Sequence, residues 1–327
     1  MSKVKNTTAA KILSNIPSRV KPIDYLMETL NISRESVYRR IRGDISFTFD
    51  EIAKLSVELG FSVDELIKQD APTHIFFDLH VNKSQDPSSA YITRFHKYFQ
   101  NILDLPDAKE IESTMITNFV PLEFIVLFNN LFKFAYYRKM HQYQESSLKY
   151  SYSEIVLPEE LLYLQYLAVE RLKKAHNFTY IIDSNIFMNL IREIQYYYKR
   201  RLINDSEYDR LREELTGLID MMESVAQTGF CNSFAKSAFY LSSLNIESSS
   251  RYAEINETAQ SQFFIEAIEP VTIMNPNVCA MHKKWLDSMR KYSTLISMSN
   301  EILQVKYFNK QRSYIEELSE NMKIISL

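Results

Sequence analysis

Glycine is nearly missing from this chain. Four occur in 327 residues: Gly43, Gly60, Gly217 and Gly229. Phosphate-cradling loops need clustered glycines, because the backbone must come close to the phosphate. Neither G-x-G-x-x-G nor G-x-x-x-x-G-K-[ST] can be written with these four, which excludes the common dinucleotide and P-loop sites. Cysteine is scarcer still, with only Cys231 and Cys279. That excludes a disulfide framework and points to a reducing cytoplasm. Long apolar runs are also lacking. The longest, Phe119 to Phe128, is broken by Pro121 and Glu123, far short of the roughly 20 residues that span a bilayer. The amino-terminal MSKVKNTTAAKIL has no apolar stretch of signal-peptide kind. A cytoplasmic protein with no membrane partner is expected.

What is abundant is apolar and aromatic surface. Hydrophobic residues make up 46% and aromatics 13% of the chain, enough for a sizeable core and two domains at this length. The net charge of −3 is no nucleic-acid signature, but its distribution is uneven. Residues 1–43 hold nine Lys/Arg against three Asp/Glu, a balance of +6. Residues 44–70 hold two against seven, a balance of −5. Positive charge is thus concentrated on one short segment, as a phosphate-facing surface requires.

That segment contains PIDYLMETLNISRESVYRRIRG, residues 22–43. Pro22 suits a first helical turn, where its missing N–H is not needed. Ile23, Leu26, Met27 and Leu30 follow on one helical face. Asn31 tolerates the left-handed backbone of a tight turn, and Ser33 can cap the next helix. Val37 and Ile41 form the buried stripe of that second helix, which leaves its arginines outside. Gly43 ends it. Thr48-Phe49-Asp50-Glu51 reads as a capping box before a third helix through Ile52, Leu55 and Leu59. Ser62-Val63-Asp64-Glu65 reads as another, before Leu66 and Ile67. Residues 9–18 supply a preceding helix through Ile12, Leu13 and Ile16.

The words LNISRESVYRRIRGD and FDEIAKLSVELGFSVDELI resemble the recognition helix and following helices of the lambda-repressor-like (XRE/Cro type) DNA-binding domain, over roughly residues 8–68. Met27 stands where that family usually has a small alanine, and Asn31 where it usually has glycine. The resemblance implies a helix-turn-helix whose second helix enters the major groove of double-stranded DNA. Arg34, Glu35, Ser36 and Arg39, near the start of that helix, are then expected to face base edges, and Ser33, at its cap, belongs to the same DNA-binding set. Arginine pairs bidentately with guanine, and glutamate accepts from cytosine N4. Arg40 and Arg42 are expected at phosphates, and Tyr38 on a sugar, on a thymine methyl or on its own helix.

Beyond this module a linker is expected at residues 71–87, bracketed by Pro72 and Asp86-Pro87, with Ile75-Phe76-Phe77 a short strand or docking segment. The domain at 88–327 reads as mostly helical. Helical periodicity runs through 89–104, 121–141, 158–175 and 183–201. Residues 205–228 repeat Tyr208, Leu211, Leu215, Leu218, Met222 and Val225 at heptad spacing, either a subunit seam or a long core helix. After Gly229 three β-rich stretches, Ala238 to Ile246, Arg251 to Ile255 and Gln262 to Ile273, read as an antiparallel meander. Asn275-Pro276 opens a helix, Tyr292 to Ile296 forms a further strand, and residues 299–320 a last helix. The expected fold is mainly α: a lambda-repressor-like helical domain at 1–70, then a helical α+β domain with a small antiparallel sheet.

Catalytic chemistry is thinly represented. Cys279 and His282 make C-x-x-H, half a zinc site without a second half. Cys231 with His282, or pairs among Glu247, Glu254, Glu266 and Glu269, could act as nucleophile and base or acid and base. A core helix and a solvated sheet face explain them equally. Tyr196-Tyr197-Tyr198-Lys199-Arg200-Arg201 mixes aromatic and basic groups, as nucleic-acid sites do, but cations also suit a helix end. No catalytic residue, cofactor or metal is implied. The expectation is a bacterial transcriptional regulator that binds DNA as a homodimer, its second domain dimerising or sensing a small-molecule or protein signal. An enzyme or toxin-like effector fused to an autoregulatory module, and a protein-interaction scaffold, are the alternatives.

Overall fold

Caps and apolar spacing build the amino-terminal helices where the sequence calls for them. In a computed structural model, the chain divides into two compact units, Met1–His80 and Val81–Leu327. The structure describes residues 2–16, 20–59, 61, 63, 66, 87–105, 111–143, 150–173, 178–230, 236–255, 258–264 and 270–323. Outside them lie the expected linker (except Pro87), most of the Ser62–Glu65 capping box, Cys231, Glu266 and Glu269.

In the first unit, α1 (Ser2–Asn15) precedes α2 (Pro22–Leu30), which begins on its proline. Asn31 closes α2 at φ 53°, ψ 48°, the left-handed conformation that asparagine tolerates. Ser33 then caps α3 (Arg34–Ile41), its Oγ accepting from the Ser36 N–H at 3.3 Å. Gly43 turns the chain at φ 80°, where a side chain would be strained. α4 (Phe49–Leu59) starts in a complete capping box. The Thr48 N–H donates to Glu51 Oε2 at 2.9 Å, and the Glu51 N–H to Thr48 Oγ1 at 3.3 Å. Leu26, Val37 and Leu55 meet Ile12, Ile16, Phe61 and Leu66 in one core. Each helix thus contributes to a shared apolar centre, which short helices need for stability.

The second unit runs α5 (Pro87–Leu103), β1 (Ile111–Thr117), α6 (Leu122–Ile125), α7 (Asn129–Tyr143), α8 (Glu159–Leu172), β2 (Phe178–Ile182), α9 (Ile186–Lys199), α10 (Asp205–Thr228), β3 (Ser237–Ser242), β4 (Ser250–Ile255), β5 (Thr258–Phe264), β6 (Pro270–Ile273), α11 (Pro276–Lys291), β7 (Ser293–Leu295) and α12 (Glu301–Lys323). The strands form one seven-stranded mixed sheet in the order β6-β5-β4-β1-β2-β3-β7. β1, β2 and β3 are parallel, with Ser113 opposite Phe178 and Phe178 opposite Ser237. The remaining pairings are antiparallel. The pleat sends Met115, Tyr180 and Phe239 into the large core beneath α5, α7 to α10 and α12. It sends Ile116 and Ile181 to the other face, where Cys279 and Leu286 of α11 cover them. Both crossovers, β1 to β2 and β2 to β3, contribute helices to the same large core, because the strands step in one direction.

This is an α/β fold with a large sheet, and it corrects the expected mainly-α class. The meander exists, but it consists of β4, β5 and β6. β3 sits three strands away from β4, paired with β2. β1 and β2 carry no expectation at all in the sequence reading. β2 is five residues long and buried nearly throughout, so it lacks the alternation that marks a half-exposed strand, and β1 alternates only over 111–115 before Ile116 and Thr117, both buried, break the pattern. The heptad seam resolves as core. Leu211, Leu218, Met222 and Val225 are wholly buried in the unit's own interior, with Tyr208 and Leu215 beside them. Among the described residues, no helix is long and apolar enough to cross a membrane.

Candidate nucleic-acid interface

α3 is short, and its orientation is held from one side. Val37 is buried in the core of the first unit, with Ile41 packed against it. With those two facing in, Arg34, Glu35, Tyr38, Arg39 and Arg42 are exposed. Tyr38 retains 45% of its surface, so its ring is open to solvent on one side. Ser33 and Ser36 are spent on the helix start, the Ser33 hydroxyl donating to Ser36 Oγ at 3.0 Å. Both bonds lie at the first turn of α3.

The arginines divide by their partners. Arg34 meets Asp24 of α2 at 3.2 Å, both side chains more than half exposed. Arg42 meets Asp44 at 3.4 Å, again in solvent. Exposed pairs of this kind contribute about 0–1 kcal/mol, so either arginine can exchange its partner for a phosphate or a base. Arg39 makes no ion pair among the described residues and is exposed.

Arg40 differs, and the phosphate contact expected of it does not fit its geometry. Its Nε and Nη2 grip both carboxylate oxygens of Glu51 at 2.9 and 2.7 Å. The two side chains are only 13% and 15% exposed. A third bond runs from Nη1 to the Ser36 carbonyl at 3.3 Å. Burial alone would raise the Glu51 carboxyl, but Arg40 and the Thr48 capping bonds outweigh it and hold the carboxyl below its ordinary 4.5. Arg40 is therefore a strut between α3 and α4. The Thr48–Glu51 box is legible locally, whereas its arginine lies 11 residues away and no spacing rule announces it.

In the second unit, the chemical candidates are largely absorbed by structure. His282 lies between two serines, Nε2 to Ser250 Oγ and Nδ1 to Ser261 Oγ, both at 2.9 Å. Burial drives its pKa down to about 4. Cys279 Sγ lies 3.5 Å from the Ala259 carbonyl and 3.4 Å from that of Ile273. Neither has the other as a co-ligand, and no cluster of three or more His, Cys, Asp or Glu suited to a metal occurs among the described residues. Glu254 receives the Tyr252 hydroxyl at 3.2 Å and Lys283 at 3.4 Å. At the end of α9, Arg200 lies over the Tyr196 ring at 5.4 Å, and the Tyr198 hydroxyl donates to Asp205 at 2.7 Å.

No motif along the chain announces one opening next to the sheet, because its residues come from separate helices. A cleft of about 750 Å³ opens beside the carboxyl ends of β1 and β2, between α7 and α9, where Arg138, His141, Asn189 and Glu193 line it together with Phe119 and Leu190. Arg138 pairs with Glu193. His141 Nε2 is buried without a partner, and burial followed by the charge of Arg200 lowers its pKa. In α/β sheets, ligands favour such positions at strand ends. No family model, curated protein or solved structure matches this chain.

Proposed function

We propose that the chain is a bacterial, cytoplasmic transcriptional regulator that binds double-stranded DNA sequence-specifically through α3. One observation supports this most directly. A capped short helix follows a left-handed Asn31 turn and turns Arg34, Glu35, Tyr38, Arg39 and Arg42 outward together. That is the side-chain set and the placement which major-groove reading needs. Arg39 and Arg34 read bases, Arg42 holds phosphate, and Ser33 and Ser36 set the helix start. The α/β unit serves dimerisation, signal sensing or both. A dimer belongs to the proposal because one module reads few base pairs, and two half-sites about one helical turn apart restore specificity.

The test is selection of genomic fragments by the full chain, followed by titration at several salt concentrations. At the selected site, Arg39→Ala costs about 1–3 kcal/mol. Arg42→Ala weakens all sequences alike and lowers the salt slope by about 0.9. A full chain that retains no fragment even at low salt refutes the proposal.

A further inference from the structure

The core-facing side of the sheet carries polar residues where a plain core would carry apolar ones. β5 alternates strictly. Ala259 packs with the α11 cluster, Ser261 bonds His282, and the Phe263 ring lies 4.8 Å from the His282 ring. Gln260 and Gln262 therefore point to the opposite face, toward α5. Strand register extends them into rows. Met115, Arg251, Gln262 and Thr272 lie side by side across β1, β4, β5 and β6. Ser113, Ala253 and Gln260 form the next row.

These rows floor a cavity of about 450 Å³, roofed by Tyr98, Asn101 and Ile102 of α5. Phe119 and Phe264, in edge contact with centroids 5.9 Å apart, wall one end. Two polar atoms on the floor, Ser113 Oγ and Arg251 Nε, are buried without any hydrogen-bond partner. Ser113 as a whole is only 5% exposed. Buried donors are almost always satisfied, and leaving one unmade costs about 1–3 kcal/mol. Both atoms are covered by their neighbours, so the polar groups that the floor opens to the cavity are the Gln260 and Gln262 amides.

The charges say what kind of molecule. Arg251 is already neutralised by Glu123, which lies 8% exposed and also receives the Tyr180 hydroxyl at 3.1 Å. Burial, and after it the Glu123 charge, raises the Tyr98 phenol well above its usual value, so Tyr98 stays protonated. Lys97 and Asp104 at the margin cancel. An anion brought here would face Glu123, and a cation would face Arg251. The size falls within the range of small-molecule sites, which are mainly apolar with a few convergent polar groups.

We infer that this cavity binds an uncharged small molecule with an apolar, planar body and a carbonyl or amide edge, held by the Gln260–Gln262 pair between the Phe119–Phe264 and Tyr98 rings. Glutamine amides offer both a donor and an acceptor, which suits an amide edge. The site lies wholly within the second unit and stands independently of the DNA reading.

The probe is Nile red, a neutral planar dye with a carbonyl acceptor, titrated into the full chain by fluorescence. Anilinonaphthalene sulfonate, an anion, serves as comparison. One saturable Nile red site per chain is expected, with the sulfonate bound at least about tenfold more weakly. Gln262→Trp fills the floor, and Thr272→Trp fills the cavity from its exposed rim with little burden on folding. Each lowers Nile red affinity by about tenfold or more, and a retained melting transition shows that the chain is folded. If Gln262→Trp does not fold, Thr272→Trp alone decides. Absence of a saturable Nile red site, unchanged affinity in folded Thr272→Trp, or equal binding of the sulfonate overturns the inference.

Discussion

Replacing Arg40 by alanine separates two roles that look alike in the sequence. If Arg40 is a strut, the change removes two charge-assisted bonds to Glu51 and one to the Ser36 carbonyl. Hydrogen bonds to charged groups contribute about 1.5–3 kcal/mol net. The pair is partly buried, so the deep-burial penalty of 3–5 kcal/mol does not apply in full. About 1–3 kcal/mol is therefore the expected loss. For a unit of this size that lowers the melting midpoint by roughly 4–8 °C per kcal/mol. The sign with pH follows from Glu51. Its folded pKa lies below its unfolded value, so its contribution is complete above the ordinary 4.5. It disappears as pH falls through the folded value. The gap between wild type and Arg40→Ala accordingly narrows under acid. Glu51→Ala should cost a similar amount, and the double variant little more than either single one. DNA titration supplies the opposing readout, since a strut leaves the salt slope unchanged. Arg40→Ala with an unshifted midpoint and a slope flattened as in Arg42→Ala would refute the strut and return Arg40 to the phosphates.

Two further outcomes concern the second unit. His282 is held neutral with a pKa of about 4, below its unfolded value, so the stability tied to it is complete above about pH 6.5 and falls as pH drops toward 4, by at most about 1.4 kcal/mol per pH unit. Urea unfolding at pH 7.5 and 5 should show this loss in wild type and a smaller one in His282→Gln, and an equal loss in both would clear His282 of the effect. Leu218→Glu buries a carboxylate in the core of α10 and should abolish cooperative unfolding by circular dichroism, whereas a folded monomer in light scattering would restore the seam as a subunit interface.

Elements with local causes are legible along the chain. Ser33, Thr48 with Glu51, Asn204 with Glu207, and Asn275 each satisfy amide groups within a few residues, so the helices they start are readable from spacing. Asn31 and Gly43 mark turns for the same reason, their backbone angles being a property of single residues. The outward set on α3 follows from Val37 and Ile41 occupying the inward face. The rest depends on contacts between segments far apart along the chain. β1 and β2 exist because strands far apart in sequence pair, Ser113 with Phe178, and a five-residue apolar run does not name its partner. The same distance hides the Arg40–Glu51 grip, the serines around His282, and the rows that set Arg251 beside Gln262. Each depends on which backbone passes alongside, and that is settled by closing long loops around a shared core, whose entropy cost no local pattern reports.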